Sequence, residues 1–203
     1  GTSHYIFTSS TIPIWAIQGP GDRSPYLMQV IQTQGIVTGI FPDLNGFWIQ
    51  ETQTDADPLT SAGVFVSTDN LQLEVAAGDQ VKVKGLVREA YQQTQITPQS
   101  KNDVTIVQSN SRLPTPIPLD PPQEDAEAEI YYEALEGMLV TVPGAALAVS
   151  PLSKYGEATL VLPRHNVDRL YQGQPSGYRI NLDDGSSVTH LDQSTLPFII
   201  KTG

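Results

Sequence analysis

The 203-residue chain contains no cysteine, which excludes disulfides and thiol chemistry alike. It is also short of cations, with 11 Lys and Arg against 22 Asp and Glu, for a net charge of −11. That balance argues against a surface built for phosphate backbones, which are held by Lys and Arg. It suits a soluble, exported protein, but charge alone does not set compartment. No apolar run approaches the roughly 18 residues of a membrane helix, so no membrane partner is expected. The opening GTSHYIFTSS has neither a basic start nor a long apolar core, and no signal peptide is read in it. The three histidines, His4, His165 and His190, lie far apart and fit no metal-ligand spacing. His4 reads as part of a loose terminus and His165, beside Arg164, as a surface loop residue. There is no GxSxG, no Walker A and no GxGxxG. With no catalytic constellation to name, the chain is read as a non-enzyme.

Turn formers are plentiful, with 16 Gly and 16 Pro. Between them the apolar residues form short runs that are β-branched or aromatic: GIVTGIF (35–41), GFWIQ (46–50), GVFVS (63–67) and VKVKGLV (81–87). Each is closed by Gly, Asn, Asp or Pro, which is the strand-and-hairpin pattern. Asn45-Gly46 between two such runs reads as a tight hairpin turn, since both residues tolerate positive φ. Period two puts Val81 and Val83 inward with Lys82 and Lys84 outward. It likewise separates Phe47 and Ile49 from Trp48 and Gln50. Gly35 marks a bend in a long strand that starts near Val30. IPIWAIQG (12–19) reads as a first strand or a packed arm, and DNLQLEVAAGDQ (69–80) as a short helix or an irregular cap. YQQTQITP (91–98) reads as a turn with a returning strand, and Val104 to Val107 as the closing fifth strand. The fold expected is all-β, a five-stranded Greek-key barrel of the OB type with a second β-rich segment.

The chain divides into an N-terminal arm (1–16), the barrel (17–108), a connector (109–129) and the second segment (130–203). The connector is acidic and carries Pro114, Pro116, Pro118, Pro121 and Pro122, which favours extended polyproline backbone. Residues 130–137 look like one or two helical turns ending at Gly137. Strand character then returns in MLVTV, EATLVL, YRINL and FII, with a turn at Asp183-Asp184-Gly185, as in an incomplete barrel.

The succession IQGPGDRSPYL, GIVTGIF, GFWIQE, DADPLTSAGVFV and VAAGDQVKVKGLVREAYQQTQI resembles the OB domain of bacterial secreted nucleases with an endonuclease/exonuclease/phosphatase-type catalytic domain. LPTPIPL, YYEALEGMLVTV, KYGEATL and YRINLDDGSS are similar to the connector and second non-catalytic segment of the same proteins. The resemblance covers roughly residues 17–187. It implies a secreted, extracellular bacterial origin and a role as accessory region. The catalytic domain would be the chain's own partner in a longer protein, of which this chain reads as a fragment. Nothing here supplies that domain's acidic and histidine metal site.

Two sets of residues are candidates for binding. OB barrels hold single strands or sugars over their second and third strands and adjacent loops, stacking bases on aromatics and tracking phosphates with Lys and Arg. Trp48, Lys82, Lys84, Arg88 and Tyr91 would supply that chemistry toward single-stranded DNA or RNA. The alternative is that Trp48 packs on residues 130–160 and the lysines only protect a sheet. The region would then be structural, or its barrel face would take a glycan or a protein. The second set is the acidic loop 51–62, where Glu51, Asp55 and Asp57 offer oxygen ligands to Ca²⁺. The Gly and Glu of an EF-hand loop are missing, and a solvated hairpin loop is the competing reading. No other cofactor is expected.

Overall fold

The structure is a computed structural model, and it describes residues 10–69, 71–186 and 189. Helix α1 (Ile14–Gln18) comes first, followed by the barrel strands β1 (Val30–Phe41), β2 (Gly46–Gln50), β3 (Gly63–Ser67), β4 (Gln80–Ala90) and β5 (Gln93–Thr97). β1 pairs with β2, β2 with β3 and β4 with β5, all antiparallel. β3 lies parallel to β5, and β1 closes the ring on β4. The order β1-β2-β3-β5-β4-β1 is a closed five-stranded barrel, the OB-type architecture expected.

The closing strand differs from the one expected. Gln93–Thr97 completes the ring, whereas β6 (Val104–Gln108) pairs with β4 outside it. β4 is long enough to serve both, since it gives residues 86–90 to β5 and residues 80–83 to β6. IPIWAIQG is not a strand. It is a short helix whose Ile14 and Ile17 are buried in the barrel core, so the packed-arm alternative holds. Residues 71–79 are irregular, and Leu73 and Val75 pack on the core as a cap.

The period-two reading is borne out inside the barrel. Phe47, Ile49, Val64, Val66, Val81, Val83, Val87 and Ile96 meet with Val37 in one core, while Lys82 and Lys84 point outward. The turn before β2 is longer than a two-residue hairpin. Pro42–Leu44 forms a 3₁₀ turn and Asn45 alone takes the left-handed conformation, with φ 52°. Gly46 serves packing instead. A Cβ there would fall 2.2 Å from the Phe65 ring and 2.5 Å from the Val66 carbonyl oxygen.

The second segment has its own small core of Leu119, Leu162 and Ile180, with Tyr131, Tyr132 and Leu135 against it. Its helix α2 (Asp125–Glu133) begins earlier than expected, inside the acidic stretch, with Asp125 and Glu127 in its first turn, where acids favour the helix dipole. β7 (Ile117–Pro118) and β8 (Val140–Thr141) form a two-stranded parallel pair. β9 (Leu147–Ala148), β10 (Ala158–Val161) and β11 (Ile180–Leu182) form a three-stranded antiparallel sheet. Among the described residues, no helix is long and apolar enough to cross a membrane.

Candidate functional site

The outer face of β2 and β3 is where an OB barrel ordinarily takes its ligand. Here the chain covers that face itself. Residues 135–139, the strap that leaves α2, lie across it. Gly63 in β3 and Gly137 in the strap meet backbone to backbone. A Cβ on Gly63 would stand 2.3 Å from the carbonyl carbon and oxygen of Gly137. A Cβ on Gly137, where φ is +68°, would stand 2.6 Å from the Trp48 ring. Trp48 is thus roofed by the strap and flanked by Phe65, edge to face at 4.9 Å. It is not an open stacking platform.

Hydrogen bonds fix the strap on both sides. The Ser61 hydroxyl donates to the Glu136 carbonyl at 2.5 Å, and the Leu139 amide donates to the Gln50 side chain at 2.8 Å. The Gln18 amide group donates to the Gly63 carbonyl at 2.6 Å and to the Glu136 carboxylate at 2.9 Å. The Thr94 amide donates to the same Glu136 oxygen at 3.1 Å. Glu136 therefore ties together α1, β5 and the strap. Its carboxyl is pushed up from 4.5 to about 7, first by burial and further by the nearby Glu133 and Glu89 charges, against the pull of its bonds to Gln18 and Thr94.

Beside the strap runs a groove of about 630 Å³ between barrel and α2. Asp22 and Glu89 line it from the barrel side, and Glu129, Glu133 and Glu136 from the α2 side, with no Lys, Arg or His of the described residues in the lining. Burial also raises the Glu133 carboxyl, with the Asp22 and Glu89 charges adding to the effect. Glu89 is anchored, accepting from the Ser24 amide at 2.8 Å and the Thr94 hydroxyl at 2.9 Å.

The remaining candidate binding residues do not gather around Trp48. Lys82 and Lys84 stand exposed on β4, opposite Gln34 and Gln32 of β1. Trp48 is opposite Gly39, further along β1. Five residues of strand separate Gln34 from Gly39, roughly 16 Å. Arg88 is exposed opposite Gln95, and Tyr91, at the β4–β5 hairpin tip with φ 57°, is 98% exposed. The lysines form a small outward pair; Arg88 and Tyr91 lie toward the other end of β4.

The acidic loop does not assemble a cage. The Asp55 carboxylate accepts from the Thr60 hydroxyl at 2.6 Å, and Asp57 accepts from the Leu59 amide at 3.0 Å, so both fold the loop upon itself. Glu51 turns toward α1, where burial pushes it up to about 7 against a bond from the Ile14 backbone. Its Oε2 is buried and has no hydrogen-bond partner among the described residues. Among the described residues, no group of three His, Asp or Glu side chains is placed to hold a metal.

His165 is not a free surface residue. Its ring stacks on Tyr178 at 4.8 Å and its Nε2 is buried, which lowers its pKa. The neighbouring Arg164 pairs with Asp120 at 2.5 Å. His4 and His190 lie outside the described residues. Sequence reasoning missed Gln18, Ser61 and Glu136, the residues that seat the strap. The one available signal was a Gly-Met pair closing a helical pattern at Gly137.

The chain matches no protein-family model and no curated protein. Among solved structures it is similar to the hypothetical protein ygiW from E. coli, at 17% identity over 39% of this chain and 75% of that one, with a TM-score of 0.28. A likeness of that size adds nothing to the strand order described above.

Proposed function

We propose that this chain is a non-catalytic positioning module, the accessory region of a secreted nuclease whose catalytic domain it supports. The observation that carries the positioning role is the strap. With residues 135–139 over Trp48, Gly63 and Gln50, the face an OB barrel would offer to nucleic acid is used to hold the second segment. The excess of 22 acidic over 11 basic residues supports the same reading, because a net charge of −11 opposes the approach of a phosphate backbone. The nuclease context rests on the resemblance of GFWIQE, VKVKGLVREAYQQTQI and YYEALEGMLVTV to that family.

A second reading is favoured by one feature. Lys82 and Lys84 project side by side from an otherwise uncharged stretch of sheet beside Gln32 and Gln34, and would track a single strand of DNA or RNA. The module would then raise the local concentration of long substrates.

One experiment separates the two. The nuclease is prepared with and without this region and assayed on short and on long single strands. A positioning module changes stability and both activities alike. A tethering module costs the long substrate more than the short one, and labelled single-stranded DNA then binds this chain at low salt, with Ca²⁺ present or absent. Selective loss on long strands, reproduced in the full-length nuclease by Lys82→Glu with Lys84→Glu, overturns the positioning reading.

A further inference from the structure

The strap meets the barrel through contacts of two opposed kinds. Close backbone packing and hydrogen bonds hold residues 135–139 down on β2 and β3. Immediately beside them, Asp22 and Glu89 of the barrel face Glu129, Glu133 and Glu136 across the groove, and no cation among the described residues lines it. Like charges on both walls of a joint push the walls apart, most strongly where water is partly excluded. We propose that the strap is a pH-responsive latch, closed over the β2–β3 face when the Glu136 carboxyl is protonated and loosened when it is ionised among its acidic neighbours.

Glu136 is the centre of the latch because, among the described residues, the groups that bond to its strap position and line its groove are either neutral or acidic. Gln18 comes from α1, Thr94 from β5 and Ser61 from the turn before β3, and none of the three titrates. Asp22 follows α1 and Glu89 is on β4. Glu129, Tyr132 and Glu133 come from α2, and Tyr132, pushed up to about 12, stays neutral. The sign follows from burial. In the closed state the Glu136 carboxyl titrates at about 7, and opening to water returns it toward the ordinary 4.5. The closed state therefore binds the extra proton. Closure is tightest below pH 4.5, weakens as pH rises through 7 and levels off above it. A separation of this size shifts the closing equilibrium on the order of a hundredfold across that window.

Trp48 reports the state directly, because the strap is its roof. In a Trp15→Phe background, Trp48 is the remaining tryptophan. Acrylamide quenching of its fluorescence is measured across pH 4.5 to 8, alongside the same chain carrying Glu136→Gln, whose amide oxygen keeps the bonds from Gln18 and Thr94. The expected result is quenching that rises with pH in the parent and stays low and flat in Glu136→Gln. High salt at pH 8 should lower quenching in the parent by screening the groove. Amide exchange at Leu139 in the unsubstituted chain, corrected for intrinsic rates, is a second readout should Glu136→Gln fold poorly. Its opening constant should rise on the order of a hundredfold over the same window. A quenching profile unchanged by Glu136→Gln, or Leu139 exchange that follows intrinsic rates alone, overturns the latch.

Discussion

Gly63→Ala adds a single methyl group at a place where the three nearest atoms all belong to backbone. The new Cβ would lie 2.3 Å from the carbonyl carbon and oxygen of Gly137 and 2.6 Å from the Met138 nitrogen. No side chain can rotate away, so the strap has to retreat by about 1 Å to restore ordinary contact. A retreat of that size carries the Ser61–Glu136 bond from 2.5 Å, the Leu139–Gln50 bond from 2.8 Å and the Gln18–Glu136 bond from 2.9 Å to or past the limit of useful geometry. Three bonds at about 1 kcal/mol each suggest a loss of roughly 3 kcal/mol. Replacing a strand glycine returns about 0.5–1 kcal/mol by restricting the unfolded chain. The net expectation is a destabilisation of about 2 kcal/mol, read as a lower urea midpoint, with faster amide exchange at Leu139. Val64 and Val66 should keep their protection, because their ladder with β2 is untouched. Gly21→Ala, where no atom of the described residues lies within 4 Å of the added Cβ, is the matched control and should be near neutral. A Gly63→Ala chain with the control's midpoint and unchanged Leu139 exchange would refute the close-packed strap.

Other expectations follow from single sites. Phe47→Ala empties the largest fully buried side chain of the barrel and should cost about 3–5 kcal/mol in denaturant unfolding. Ser100→Ala removes the hydroxyl half of a capping box with Asp103 and should cost about 1 kcal/mol, with a proportionate drop in melting temperature. Glu51 is held up to about 7, so its protonation favours the folded state below pH 4.5 and that advantage is lost as pH rises through 7. Glu51→Gln should raise the urea midpoint at pH 8 and flatten its dependence on pH between 5 and 8. Tyr91→Ala, at a hairpin tip almost wholly in water, should leave stability within about 0.5 kcal/mol of the parent.

The barrel strands were legible in the sequence because their signal is local. VKVK alternates cleanly, and the fold buries Val81 and Val83 while Lys82 and Lys84 stay in water. GFWIQ and GVFVS were equally plain. The closing strand was harder. QTQIT is mostly polar and looks weaker than VTIV, yet Thr94 and Ile96 face inward and the parallel pairing with β3 comes from the topology of the ring. The α1 helix was obscured by its length, since five residues carry too little periodicity to separate helix from strand. The site was the least legible part. Its decisive contacts join residues 75 and 89 positions apart, Ser61 with Glu136 and Gln50 with Leu139. EALEG reads like the solvated end of a helix, and nothing adjacent to Glu136 announces that α1 and β5 will enclose it. Trp48 was correctly placed on the outer side of β2; what covers it was one of two alternatives, and the strap decides between them.

The parallel pairing of β3 with β5 also sets an order of assembly. As the chain emerges, β1, β2 and β3 can zip into a three-stranded meander, but Phe65 and Val66 have to wait for Gln95 and Ile96 before their far side is paired. β1 likewise waits for β4, with Val30 finding its neighbour only at Leu86. Until both arrive, the nascent sheet has two bare edges and an open apolar face, the condition that invites intermolecular pairing. Closure is thus a late, non-local event, and folding should be slow for a domain of this size, on a millisecond-to-second scale. A fragment cut before Gln93 should precipitate rather than fold to a smaller version of the whole.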